Sequence, residues 1–178
     1  QAEPARAGQH CRTVQDDAGF CGLAKGSNGA EGAPTAAAAP APMASSAGSA
    51  STVVRPLDGA RVSAPDPRIR AVVALAPMAV VFTPESLAAV RVPVRLILAE
   101  HDQVLNGQYH GSYVAAHVPG AQASTVPGAG HFAFMTQPSM SLPSAAGDAA
   151  ANPTGFDRVA FQPQLDAQVL QFFARQLQ

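Results

Sequence analysis

The sequence predicts an α/β fold built on three parallel strands with crossover helices, and three observations carry that expectation. Short strand-like runs recur at 69–77, 92–100 and 121–126. Segments with helical character lie between them, at 84–90 and 108–118. A long amphipathic stretch, 157–177, closes the chain. Strand, helix, strand, helix, strand is the order of a parallel sheet with helical crossovers, and the last helix supplies a cover for one face.

The first element is the least regular. The chain begins at Gln1 rather than Met, which gives the expectation of a processed product or a fragment. No signal-peptide core is present in Q-A-E-P-A-R-A-G-Q-H. Cys11 and Cys21, the two cysteines of the chain, are too far apart for a C-x-x-C redox or zinc motif. A local disulfide and an oxidising compartment, periplasmic or secreted, are expected. Two reduced thiols in a cytosolic protein are the alternative, and a metal site from His10 and the two cysteines lacks a fourth ligand. Residues 1–26 form one segment. Residues 27–65 form a second, dominated by Ala, Pro, Gly and Ser, which is expected to be a flexible insertion because it has too little apolar side chain to offset the entropy of ordering.

From 66 to 178 the character is that of a packed core. I-R-A-V-V-A-L-A-P (69–77) is a continuous apolar run ended by proline and suits a strand buried on both faces. Thr83 and Pro84 are an N-cap and a first helical residue for the short helix 84–90. V-P-V-R-L-I-L-A-E (92–100) is a second buried strand, and 108–118 a helix that ends at Pro119-Gly120. A-Q-A-S-T-V (121–126) is the third strand, and 137–156 reads as loop from its prolines and glycines. In the last helix Phe161, Leu165, Val169, Phe172 and Phe173 make one apolar stripe, with Pro163 starting or kinking its first turns.

Bulk properties narrow the function classes. A net charge of −1 provides no basic surface for nucleic acid and no polybasic membrane anchor. No apolar run approaches the roughly 18 residues of a membrane span. The 47% hydrophobic content against 13% charge fits a globular chain diluted by a polar segment.

Chemistry in an open parallel sheet gathers beyond the carboxyl ends of the strands. Asp102 follows the second strand and His131 follows the third, in the turn G-A-G-H where Gly128 and Gly130 permit a tight reversal. A carboxylate beside an imidazole accepts its Nδ1 proton and leaves Nε2 free to take a proton from a nucleophile. The alternatives are a turn-forming aspartate and a loop histidine without a task. Glu100 is a second candidate acid, although strand alternation aims it elsewhere. His110 and His117 share one helix face and read as solvent-facing residues rather than metal ligands. A metal site from His101, Asp102 and His131 lacks a third histidine at ligand spacing, so no metal and no organic cofactor is expected. Met78, Phe82, Phe132 and Phe134 are candidates for an acyl pocket, or for ordinary core.

V-P-V-R-L-I-L-A-E-H-D followed by V-P-G-A-G-H-F resembles the carboxyl-terminal part of an α/β-hydrolase, in which nucleophile, acid and histidine follow one another along the chain. D-P-R-I-R-A-V-V-A-L-A-P-M and G-F-D-R-V-A-F resemble predicted dienelactone hydrolases and their relatives, secreted esterases of the platelet-activating-factor acetylhydrolase type. The resemblance covers 66–136 and, less closely, 155–177. It implies a serine esterase for small or medium acyl esters, with Asp102 as the acid and His131 as the base. The family's G-x-S-x-G does not occur. Lys25-Gly26-Ser27-Asn28-Gly29 and Ala44-Ser45-Ser46-Ala47-Gly48 each lack the first glycine and a preceding strand. The expectation is therefore a chain whose nucleophile serine and oxyanion amides belong to an absent amino-terminal half, inactive in isolation. The competing expectation is a non-enzymatic, hydrolase-like binding or structural module.

Overall fold

The computed structural model describes residues 1–27, 63, 66–144 and 146–178. Most of the stretch 27–65, where a flexible insertion is expected, lies outside the described residues. Three parallel strands form the central sheet: β1 (Val72–Leu75), β2 (Val94–Ala99) and β3 (Gln122–Val126), in the order β1-β2-β3. The register pairs Val72 with Val94 and Leu75 with Ile97, then Arg95 with Gln122 and Ala99 with Val126.

The helices in chain order are α1 (Ala5–Thr13), α2 (Ala18–Ser27), α3 (Pro84–Ala88), α4 (Gly111–His117) and α5 (Arg158–Gln176). Thr83 caps α3 by accepting the Ser86 amide at 3.2 Å, and Asp157 caps α5 by accepting the Ala160 amide at 3.0 Å. The helix α5 continues through Pro163. The amide that proline lacks would have bonded the carbonyl of Val159, a residue 65% exposed, so water can take that carbonyl instead.

Alternation along β2 builds both halves of the core. Val94 and Leu96 enter a cluster with Leu87 of α3 and Val114 of α4. Ile97 enters the opposite cluster, with Val126, Phe161 and Leu165. The central strand is thus covered on both faces. The expectation that 69–77 is buried on both faces needs correction. All four residues of β1 are only half-buried, because β1 is the edge of the described sheet and its hydrogen bonds run to the β2 side.

A third cluster joins the amino-terminal segment to the carboxyl end of the sheet. Phe20 and Cys21 pack with Val80, Val104 and Leu105. Ala2 pairs with Phe82, and the Glu3 amide donates to the Val81 carbonyl at 2.7 Å. Cys11 and Cys21 are disulfide-bonded, with Cα atoms 5.5 Å apart, so neither thiol is available as a ligand to a metal at His10.

Candidate functional site: an aspartate–histidine pair at the carboxyl end of the sheet

The site is built by the continuation of β2 and β3 past their ends. The Glu100 amide donates to the Val126 carbonyl at 3.2 Å, and the His101 amide to the Ala129 carbonyl at 2.8 Å. These bonds lay the turn 127–130 against residues 100–102. Gly128 has φ of +69°, a conformation that disfavours residues with a side chain. Its amide donates to Glu100 Oε2 at 2.7 Å, so Glu100 holds the turn and does not meet the imidazole.

Asp102 is fixed from both of its oxygens. Oδ1 accepts the amides of Val104 at 2.9 Å and Leu105 at 2.8 Å, an arrangement typical of an aspartate that starts a turn. Oδ2 lies 2.8 Å from His131 Nδ1. A carboxylate only accepts, so Nδ1 carries the proton and Nε2 presents a lone pair. Among the described residues Nε2 forms no hydrogen bond. The Asp102 side chain is 9% exposed and that of His131 23%, which leaves the acid enclosed and the imidazole reachable.

His131 opens a short 3-10 turn, His131–Phe134, and lines a cavity of about 240 Å³ together with Gln103, Val104, Phe132, Asn152 and Pro153. No serine, threonine or cysteine lines it among the described residues. Of the side chains expected in an acyl pocket, the structure brings only Phe132 to this cavity. Phe82 lines a separate depression with Arg6, His10 and Tyr109, and Met78 is 41% exposed away from the cavity lining. Phe134 packs edge-on against Phe161 in the core.

The far wall of the cavity is formed by residues of the 137–156 loop, Ala146 to Asp148 and Ala151 to Pro153. A small antiparallel ladder, β4 (Pro143–Ser144) with β5 (Gly147–Asp148), is tied by Asp148, which accepts the amides of Leu142 and Ala150 and the Ser141 hydroxyl. Those bonds hold the Asp148 carboxyl below its usual range, the Ser141 hydroxyl contributing most. Arg158, 1% exposed, braces the same loop from below. It donates to Asn152 Oδ1 at 2.8 Å and to the carbonyls of Ala149 and Ala151 at 2.9 and 2.8 Å. Burial pulls its guanidinium below the usual value. One signal in the sequence does point to Arg158: a cation in the first turn of a helix opposes the helix dipole and needs another reason to be there. Pro153 then reaches the turn at Gly130, where a Cβ would stand 3.0 Å from the proline ring.

His110 departs from the expected solvent-facing position. It is 1% exposed, and its Nδ1 accepts the Ala79 amide at 3.1 Å. Nε2 therefore carries the proton and donates to Asp17 Oδ2 at 2.8 Å. His10 Nε2 donates to the same oxygen at 2.7 Å. These three side chains converge closely enough to suggest a metal site. The Ala79 amide argues against one, because a metal on Nε2 would force the proton onto Nδ1, against that N–H. Desolvation is the main influence on His110 and lowers its pKa below the usual imidazole value. His117 is half-buried, with Nδ1 2.8 Å from the Tyr113 carbonyl.

No protein-family model matches the chain, and no curated protein matches it. Among solved structures the chain is similar over a short stretch to carboxylesterase CesB (YbfK) from Bacillus subtilis, at 39% identity and a TM-score of 0.27. That stretch covers 29% of this chain and 18% of the carboxylesterase chain.

Proposed function

We propose that this chain carries the acid and base of a serine carboxylic ester hydrolase, with the nucleophile serine contributed from outside this sequence. The observation that supports the reading best is the 2.8 Å contact between Asp102 Oδ2 and His131 Nδ1, made by a carboxylate whose other oxygen two amides already hold. In the proposed reaction the serine Oγ attacks the ester carbonyl while its proton passes to His131 Nε2. The protonated imidazole, stabilised by Asp102, then returns that proton to the departing alkoxide, leaving an acyl-enzyme that water cleaves by the same route in reverse. No metal or organic cofactor enters this scheme. The disulfide supports an oxidising compartment, periplasmic or extracellular, as the place of action. The carboxyl-terminal half of an α/β-hydrolase, of the dienelactone hydrolase type, is the architecture this reading implies.

A second reading is favoured by a specific observation: among the described residues no nucleophilic side chain lines the His131 cavity. A hydrolase-like module that binds without catalysis would look the same. The two readings separate on co-expression with an amino-terminal α/β-hydrolase half that carries G-x-S-x-G. The enzyme reading expects hydrolysis of short p-nitrophenyl esters and labelling by a fluorophosphonate, both lost on His131→Ala. A stable complex without turnover or labelling selects the binding module. The coding sequence upstream of Gln1 offers a quicker check, since an in-frame G-x-S-x-G there supports the enzyme.

A further inference from the structure

We propose that Asp17 is a positioning residue for the Asp102–His131 pair, and that the disulfide-closed segment 11–21 is a brace that holds it there. The proposal rests on the reading of that pair as an acid–base unit.

The turn after Asp102 contains three consecutive amides that donate to carboxylates. Val104 and Leu105 donate to Asp102 Oδ1, and Asn106 donates to Asp17 Oδ1 at 3.1 Å. The first two set the rotamer of Asp102 and so aim Oδ2 at His131. The third ties the same turn to a residue far away in sequence. Asp17 is 2% exposed, and its other oxygen is held by the imidazoles of His10 and His110. A buried carboxylate with three N–H donors has one orientation open to it, which makes it a fixed point rather than a mobile acceptor.

The surrounding segment repeats the contact. The Asn106 side chain donates to the Asp16 carbonyl at 2.9 Å, and the Tyr109 hydroxyl to Asp16 Oδ1 at 2.9 Å. A Cβ on Gly19 would collide with the carbonyls of Gln103 and Val104, so glycine lets α2 sit directly on the turn. Phe20 and Cys21 pack on Val104 and Leu105. Cys21 is bonded to Cys11 in the preceding helix, which closes the loop that carries Asp16 and Asp17. Every residue from Gln103 to Asn106 is therefore contacted from the amino-terminal segment. Loss of that contact leaves Asp102 with its turn held from one side only.

The readout is the low-field imidazole Nδ1–H resonance of His131, followed by proton NMR on histidine-labelled chain. In Asp17→Asn the side-chain amide meets two N–H donors, and His110 cannot change tautomer to suit it because the Ala79 amide occupies Nδ1. The His131 resonance is expected to exchange with water at least about tenfold faster, or to vanish, while far-UV circular dichroism stays that of the folded chain. Reduction of Cys11–Cys21 removes the tether without removing a hydrogen-bonding group, and the same resonance should respond in the same direction by a smaller factor. An unchanged resonance in folded Asp17→Asn overturns the proposal, as does an unchanged resonance in the reduced chain should Asp17→Asn fail to fold. Ester turnover plays no part in this readout. A resonance that responds to Asp17 beside a failed reconstitution of hydrolysis removes only the proposed function. Its absence from the unmodified chain removes the pair, and with it both.

Discussion

Asp102→Asn separates what the pair contributes to stability from what it contributes to chemistry. Asparagine keeps an oxygen for the amides of Val104 and Leu105, now 2.9 and 2.8 Å from Oδ1. Its Nδ2 then takes the place of Oδ2 beside His131 Nδ1, and as a donor it forces that nitrogen to accept. The proton moves to Nε2, and His131 loses the lone pair that would receive a proton from a serine. The stability change is moderate. A hydrogen bond to a charged group is worth roughly 1.5–3 kcal/mol and a neutral one roughly 0.5–1.5, and three N–H donors meet this carboxylate, so the exchange costs up to about 3–4.5 kcal/mol. For a domain of this size that is a fall in Tm of up to about 6–18 °C. The effect on chemistry is large. Tautomer inversion of this kind lowers turnover by about 10⁴-fold in a Ser-His-Asp enzyme, so reconstituted hydrolysis should drop by that order. The tautomer is read directly from the ¹⁵N shifts of the His131 ring, and the stability from thermal unfolding of the same sample. Retention of the Nδ1–H tautomer in folded Asp102→Asn would refute the orienting role.

Three further outcomes are expected. Arg158→Met removes three charged hydrogen bonds to the cavity wall and leaves buried acceptors behind; it should cost about 3 kcal/mol or more in urea unfolding and expose the 141–153 loop to proteolysis, whereas a neutral substitution would show the wall to be self-supporting. Burial holds the pKa of His110 below the usual imidazole value, so as pH falls through the ordinary imidazole range the unfolded chain takes up a proton that the native chain refuses. Stability from this residue is therefore lost on acidification, by at most about 1.4 kcal/mol per pH unit, and a urea midpoint that fails to decrease between pH 7.5 and 5.5 contradicts the assignment. The edge strand β1 is expected to drive self-association. The amides of Val72 and Ala76 pair with Pro93 and Ile97, which turns the amides of Val73 and Leu75 toward the side without a strand among the described residues. Val73→Lys should raise the concentration at which light scattering detects oligomers, and a sharp monomer at high concentration in the unmodified chain would remove the premise.

Much of the fold is local and was legible without coordinates. The runs at 72–75 and 94–99 are rich in Val, Leu and Ile, which favour a pleated, half- or fully buried surface, and the cap Thr83 acts within three residues of itself. The proximity of Asp102 and His131 was legible for a related reason. Both residues follow strands that are neighbours in a parallel sheet, so chain order alone places them at one edge. What the sequence could not determine depends on contacts between distant segments. His110 lies at the N-cap of α4 rather than on its exposed face, and the buried carboxylate and ring that it meets come from Asp17 and Phe20, some 90 residues away. Phe82 and Phe132 are equally apolar, yet Phe132 lines the His131 cavity while Phe82 faces Arg6 and His10 of the amino-terminal segment. Half-burial of β1 depends on which neighbours the strand has, and an apolar run does not record that. Arg158 is held in its buried position by the carbonyls of Ala149 and Ala151 and the side chain of Asn152, and the two alanine side chains have no part in those bonds. Side-chain pattern reports the environment a residue favours, and only the packed tertiary structure decides which distant group supplies it.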